Sequence, residues 1–248
     1  MTIIDILDNM PKLDGTVESD YIHNGFVVPR VTKILQRCIH NDSFCYWANS
    51  LGFKHLSYKQ ELNKAAEIGT ICHNNIDKYL TNYNENSNFS PALVNERASN
   101  AYQSFIKWFE DVSSIANFKI LMHEETLTCP WFGGTLDGLY DFDGTVYVVD
   151  YKTSNHIGFS YFLQLAAYRY MLKLKGVKTD GFIILQLSKD KIAYDEYVIK
   201  FDNPEHLAFA EQCETTFLSL VYSYYNLAKT EWMFLENKQF KKGAIANG

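Results

Sequence analysis

The segment "GGTLDGLYDFDGTVYVVDYKTS", residues 133–154, decides how this chain is read. Its Val146–Tyr151 portion is rich in β-branched and aromatic residues, the composition of an interior strand. Yet Asp150 and Lys152 carry opposite charges into it, which is costly unless something uses them. Asp143-Gly144 is a two-residue hairpin signal, predicting strands over 132–142 and 145–152. Phe142 then faces Thr145, and counting outward sets Asp137 opposite Asp150. Opposed residues share a face, with Cβ atoms about 4.5–5.5 Å apart. Two carboxylates so placed repel unless a cation lies between them or one is protonated. Lys152 falls on the same face, two residues past Asp150, whereas Asp141 and Asp143 read as strand-end and turn residues.

Hard divalent ions such as Mg²⁺ or Mn²⁺ suit two Asp side chains better than zinc does and keep some of their waters. Such an ion lowers the pKa of a bound water and neutralises charge on a phosphate, while Lys152 orients the nucleophile or stabilises the transition state.

Outward from the hairpin, a strand is expected over 118–128 and a helix over 159–174. "GFIILQLS" and "AYDEYVIKF" read as two more strands joined at Lys189-Asp190-Lys191. Upstream, Tyr102, Phe105, Ile106, Phe109 and Val112 recur at helical spacing within a helix over 95–116. A second helical stretch covers 58–80, and Thr32 is a candidate N-cap for a short helix through Cys38. The Asn-rich 81–91 reads as a loop. Past Pro204, the spacing of Phe209, Cys213, Phe217, Leu220, Tyr224 and Leu227 fits a long amphipathic helix, followed by a frayed tail over 240–248. This predicts an α/β fold, a central mixed β-sheet flanked by helices. At 248 residues one domain is expected: an N-terminal helical region (1–95), an αβββαββ core (96–200), and a C-terminal helix and tail (201–248).

The net charge of −6 argues against a generally adhesive nucleic-acid binder, but charge is unevenly spread. Residues 30–64 hold six Lys/Arg against Asp42 and Glu61, and residues 165–191 hold six against Asp180 and Asp190. Between them, residues 65–164 carry twelve acidic groups against five basic ones. Two positive segments flanking a carboxylate cluster suit a phosphate backbone approaching a metal. The five cysteines form no C-x-x-C pair, so reduced thiols in a cytosol-like compartment are expected. No run reaches the roughly 18 apolar residues of a membrane span, and no ATP-binding P-loop occurs.

At these residues the sequence resembles the RecB-like branch of the PD-(D/E)XK nuclease superfamily, single-domain exonucleases such as mitochondrial genome maintenance exonuclease and phage-encoded relatives. Asp137 in "GTLD" stands for the first acidic motif and "VVDYK" for the D-x-K. "QLAAY", Gln164 to Tyr168, is similar to the Q-x-x-x-Y helix motif. "GTICH", ending at His73, looks like the Gly-x-x-x-His element, and "VPRVTKIL" resembles the N-terminal segment. A lone D-x-K is weak; five ordered elements together are specific. The resemblance implies a PD-(D/E)XK nuclease core with Asp137, Asp150, His73 and the Tyr151 carbonyl as metal ligands and Lys152 as catalytic lysine. Glu124 resembles the first-strand acid, with Glu125 its alternative by strand parity. Asp77, one turn past His73, is placed to orient the imidazole. Gln164, Tyr168, Thr32, Arg30, Thr153 and Ser154 are the expected nucleic-acid contacts, Arg30 standing where relatives often carry a small hydroxyl residue. Only Cys213 is late in the chain, which argues against the iron–sulfur cluster of some relatives.

The expected function is thus an Mg²⁺- or Mn²⁺-dependent deoxyribonuclease, an exonuclease on single-stranded ends, without ATP. It would act in a cytoplasm, a host's if phage-encoded, alone or with a helicase or single-strand-binding partner. A non-cleaving binding module and a site-specific endonuclease are the alternatives; retention of every acid and the lysine favours catalysis. Tyr46, Trp47, Phe53 and Tyr58, interleaved with Lys54 and Lys59, are candidate base-stacking contacts.

Overall fold

The structure is a computed structural model that describes residues 21–40, 42–85, 89–91, 95–114 and 117–236. The tail read as frayed lies outside these residues, as does part of the Asn-rich segment. Strands β1 (Tyr21–His23) and β2 (Phe26–Val28) precede helices α1 (Val31–Cys38), α2 (Asp42–Phe53), α3 (Tyr58–Asn84) and α4 (Glu96–Ser113). Then come β3 (Phe118–Cys129), β4 (Phe132–Phe142), β5 (Thr145–Lys152), α5 (Phe159–Leu174), β6 (Gly181–Leu187), β7 (Tyr194–Lys200) and α6 (Pro204–Glu236).

Five strands form one mixed sheet in the order β3-β4-β5-β6-β7. Asp143 and Gly144 both have positive φ, 54° and 86°, the type I′ turn whose twist matches the flanking strands. Phe142 faces Thr145 as the sequence implies. The Asp141 carboxylate accepts from Gly144 N and that of Asp143 from Asn117 Nδ2, so both aspartates serve the turn. β5 and β6 run parallel, which requires a long crossover, here α5.

β5 explains itself by burial on both faces. Val148 joins α1, α5 and α6 in one core, with Ile34, Leu163, Tyr170, Phe217 and Ile184. Its neighbour Val149 joins α3 and α4 in the other, with Ile76, Leu80, Phe105, Phe109 and Leu185. Each such Val, Leu or Ile contributes about 1.5–3 kcal/mol by leaving water.

Three local expectations are corrected. Arg30, not Thr32, is the N-cap of α1 and makes no side-chain cap bond. Its extended backbone is set by a bridge to Gly133, with Gly133 N donating to Pro29 O. α3 runs to Asn84, so the start of the Asn-rich segment is helical. α2 and the β1–β2 hairpin were not expected, although Asn24-Gly25, with φ of 48° and 82°, carries the same turn signal. No helix among the described residues is long and apolar enough to cross a membrane.

Candidate active site

The β4–β5 ladder runs from Phe142–Thr145 to Gly138–Val149, and β5 beyond it keeps pairing only with β6, through Lys152–Gln186. A cleft opens where β4 and β5 part, one register step further, at Asp137 and Asp150. Asp137 Oδ2 there accepts the Tyr151 N–H at 2.8 Å, replacing the ladder bond that the divergence removes. Its Oδ1 lies 3.6 Å from Nδ1 of His73, which α3 brings from one side of the sheet.

Glu124 reaches the same imidazole nitrogen at 3.6 Å, and strand irregularity is the cause. A bulge between Ile120 and Met122 shifts the β3–β4 register by one. Glu125 then faces Leu136, leaving Glu124 across from Asp137 with a left-handed φ of 45°. Such a conformation costs a non-glycine residue about 1–3 kcal/mol. The ligand atoms of His73, Glu124 and Asp137 all lie within 4.8 Å of one another. His73 Nε2 sits 3.2 Å from the Tyr151 carbonyl; donation there leaves Nδ1 facing the carboxylates, with a free lone pair once the ring is neutral. The Tyr151 carbonyl, expected on the metal, accepts here from His73 with one of its two lone pairs. Burial opposes a charged imidazole here, but Asp137 and Glu124 outweigh it and push the His73 pKa up to about 9.

Asp150 has no exposed surface, and its carboxylate has no hydrogen-bond partner among the described residues other than the Lys152 ammonium. Lys152 Nζ lies 2.5 Å from Oδ2 as countercharge. Burial nonetheless raises the Asp150 pKa to about 6, against the lowering by Lys152. For Lys152 burial favours loss of the proton, but Asp150 and Asp137 prevail and hold the ammonium above its ordinary range. The Tyr161 ring of α5, 4.8 Å from Nζ, adds a cation–π contact.

Among the other expected residues, Gln164 and Tyr168 are buried on α5 and bonded to each other, Gln164 Nε2 donating to the Tyr168 hydroxyl at 3.0 Å. Burial, reinforced by the carboxylates of Asp137 and Asp150, pushes the Tyr168 pKa up and holds the hydroxyl protonated. Thr32, Gln164 and Tyr161 line one open groove of about 660 Å³ with Phe44 and Leu62. Thr153 and Ser154 contribute backbone: Lys189 Nζ donates to Thr153 O and Gln186 Nε2 to Ser154 O. Arg30 remains exposed at the start of α1. Asp77 does not orient His73; it pairs with His123 at 2.9 Å. Sequence reading missed Tyr161, whose spacing three residues before Gln164 on one helix face was the available signal, and missed His123 entirely.

One imidazole nitrogen, converging carboxylate oxygens and a buried carboxylate partnered by an ammonium suit Mg²⁺ or Mn²⁺. Together they define an α/β protein with a candidate divalent-cation cleft at a strand end. A family model of the PD-(D/E)XK nuclease superfamily matches residues 46–239, and the chain belongs to that superfamily. Membership implies a metal-dependent nuclease whose substrate is nucleic acid. No curated protein matches the sequence. Two of the solved structures that resemble it weakly are SSO0001 and LHK-Exo. SSO0001 is 14% identical, covering 85% of this chain and 80% of its own, with a TM-score of 0.34. LHK-Exo in complex with dAMP is 15% identical, covering 60% of this chain and 78% of its own, with a TM-score of 0.33.

Proposed function

We propose that this protein is a DNA exonuclease that hydrolyses phosphodiester bonds from single-stranded ends with Mg²⁺ or Mn²⁺. The observation that carries the metal chemistry is the convergence of His73, Glu124 and Asp137 within 4.8 Å, next to the buried carboxylate of Asp150, whose partner among the described residues is Lys152. These four side chains are the proposed ligands. When bound, the ion supplies an acidified water and neutralises charge on the phosphate.

The remaining work falls to the chain. Water oxygen attacks phosphorus as the bond to the leaving oxygen breaks, and the proton the water gives up is balanced by one that the leaving oxygen takes from solvent. Lys152 faces this exchange as a charged ammonium, so its role is to stabilise developing negative charge. Tyr161 keeps it from swinging into solvent. Gln164 and Tyr168, locked to each other, present polar groups to the strand beside the scissile phosphate. The groove past Thr32, Phe44 and Tyr161 leads from this point toward α2, where Tyr46 and Phe53 are exposed. Aromatic rings beside Lys54 and Lys59 suit unpaired bases and their backbone.

Purified protein incubated with 5′- and 3′-labelled single- and double-stranded DNA, with Mg²⁺, Mn²⁺ or chelator, tests the reading. Metal-dependent release of short products from single-stranded ends is expected. Internal cuts in intact circles would replace exonuclease with endonuclease, and undiminished cutting in chelator would remove the metal.

A further inference from the structure

Two residues outside the proposed ligand set join the two elements that deliver His73 and Glu124. His123 Nδ1 lies 2.9 Å from Asp77 Oδ1; a carboxylate only accepts, so Nδ1 carries the proton and donates. Asp77 stands one turn after His73 on α3, and His123 immediately precedes Glu124 on β3. The two pairs are therefore parallel rungs between the same helix and the same strand. α3 is seated elsewhere by its apolar side, where Cys72, Ile76 and Leu80 join Tyr102, Phe105 and Trp108 of α4. That packing takes in Phe118 and Ile120 at the start of β3, ahead of the irregular stretch, where a bulge precedes His123 and a left-handed Glu124 follows it.

We propose that the Asp77–His123 pair is a positioning clamp: it holds β3 against α3 so that Glu124 meets the His73 nitrogen in metal-binding geometry. The proposal rests on the metal site described above. Outer hydrogen bonds of this kind typically change metal affinity by about 10–100-fold. The pair acts through distance, since neither member lies in the cluster of ligand atoms.

Titration calorimetry with Mn²⁺ on the parent, Asp137→Ala, Asp77→Ala, His123→Ala and His123→Asn tests it, with metal-free thermal melts in parallel. Asp77 is two-fifths exposed, so its truncation leaves no cavity even if His123→Ala folds poorly. Asp77→Ala and His123→Ala should each weaken Mn²⁺ binding about 10-fold or more. An Asp77→Ala/His123→Ala double variant, titrated alongside, should bind no more weakly than either single one, as expected of one shared bond. His123→Asn, whose amide nitrogen replaces Nδ1 as donor, should restore most of the affinity. Parent-like binding by Asp77→Ala, or equal loss in His123→Asn and His123→Ala, would overturn the clamp while leaving the metal site intact. Failure of the parent to bind Mn²⁺, or parent-like binding by Asp137→Ala, would overturn the metal site and the clamp with it.

Discussion

Lys152 keeps its proton in a place that ought to strip it, because Asp150 and Asp137 stand beside it. A cation fixed at the scissile phosphate makes an electrostatic contribution, and removing one such donor costs about 10²–10³ in rate. Lys152→Ala should lose at least that in single-turnover cleavage while still binding Mn²⁺; unchanged cleavage would reject its role. His73 and Asp150 add a pH signature. Both folded pKa values are raised, from 6.5 to about 9 and from 3.8 to about 6. Between the ordinary and raised values the folded chain binds more protons than the unfolded one, so stability falls as pH rises. The contribution is whole below about pH 4 and lost through about 6 and then about 9. Metal-free protein should therefore melt progressively lower from pH 5 to 9. Mn²⁺, which needs the deprotonated imidazole, should bind more tightly over the same range. A flat melting profile in chelator would contradict this account.

At the scale of elements, the bulge in β3 chooses between two adjacent acids. Glu124→Gln should weaken Mn²⁺ binding, whereas Glu125→Gln, altering an exposed residue opposite Leu136, should not; calorimetry separates them. The β4–α5 contact is equally specific. A Cβ on Gly134 would stand 2.7 Å from Cε1 of Tyr168, so the ring must move and take its bond with Gln164 along. Gly134→Ala should destabilise by about 1–3 kcal/mol, read by urea denaturation, and slow cleavage more than it weakens Mn²⁺ binding.

Across the whole molecule, a net charge of −6 coexists with basic segments that precede and follow the acidic stretch in the sequence. Strand binding that depends on those Lys and Arg side chains should weaken steeply with salt. Exposed Tyr46 and Phe53 should matter on a different axis. Replacing both by Ala should reduce single-strand affinity by about 1–3 kcal/mol per lost stack, with Mn²⁺ affinity unaltered. Fluorescence anisotropy with a labelled oligonucleotide measures both, and parent-like binding by the double variant would remove α2 from the strand path.

The α/β fold was legible because its signals are local. The Asp143-Gly144 turn fixes the hairpin register, the period of α4 fixes its buried face, and the unbroken apolar run of β5 betrays burial on both sides. Asp137, Asp150 and Lys152 followed from that register and from family resemblance. The partnerships within the cleft were decided elsewhere. Glu124 rather than Glu125 depends on one extra residue in β3, which leaves no mark in a sequence of suitable strand formers. Asp77 found its partner in His123, which β3 brings to it from 46 residues away, and Tyr161 reached Lys152 only when α5 packed beside β5. Turns and periods are set by a residue and its near neighbours, whereas ligand geometry depends on how segments 50 to 80 residues apart dock, as His73 with Glu124 and Tyr151 shows.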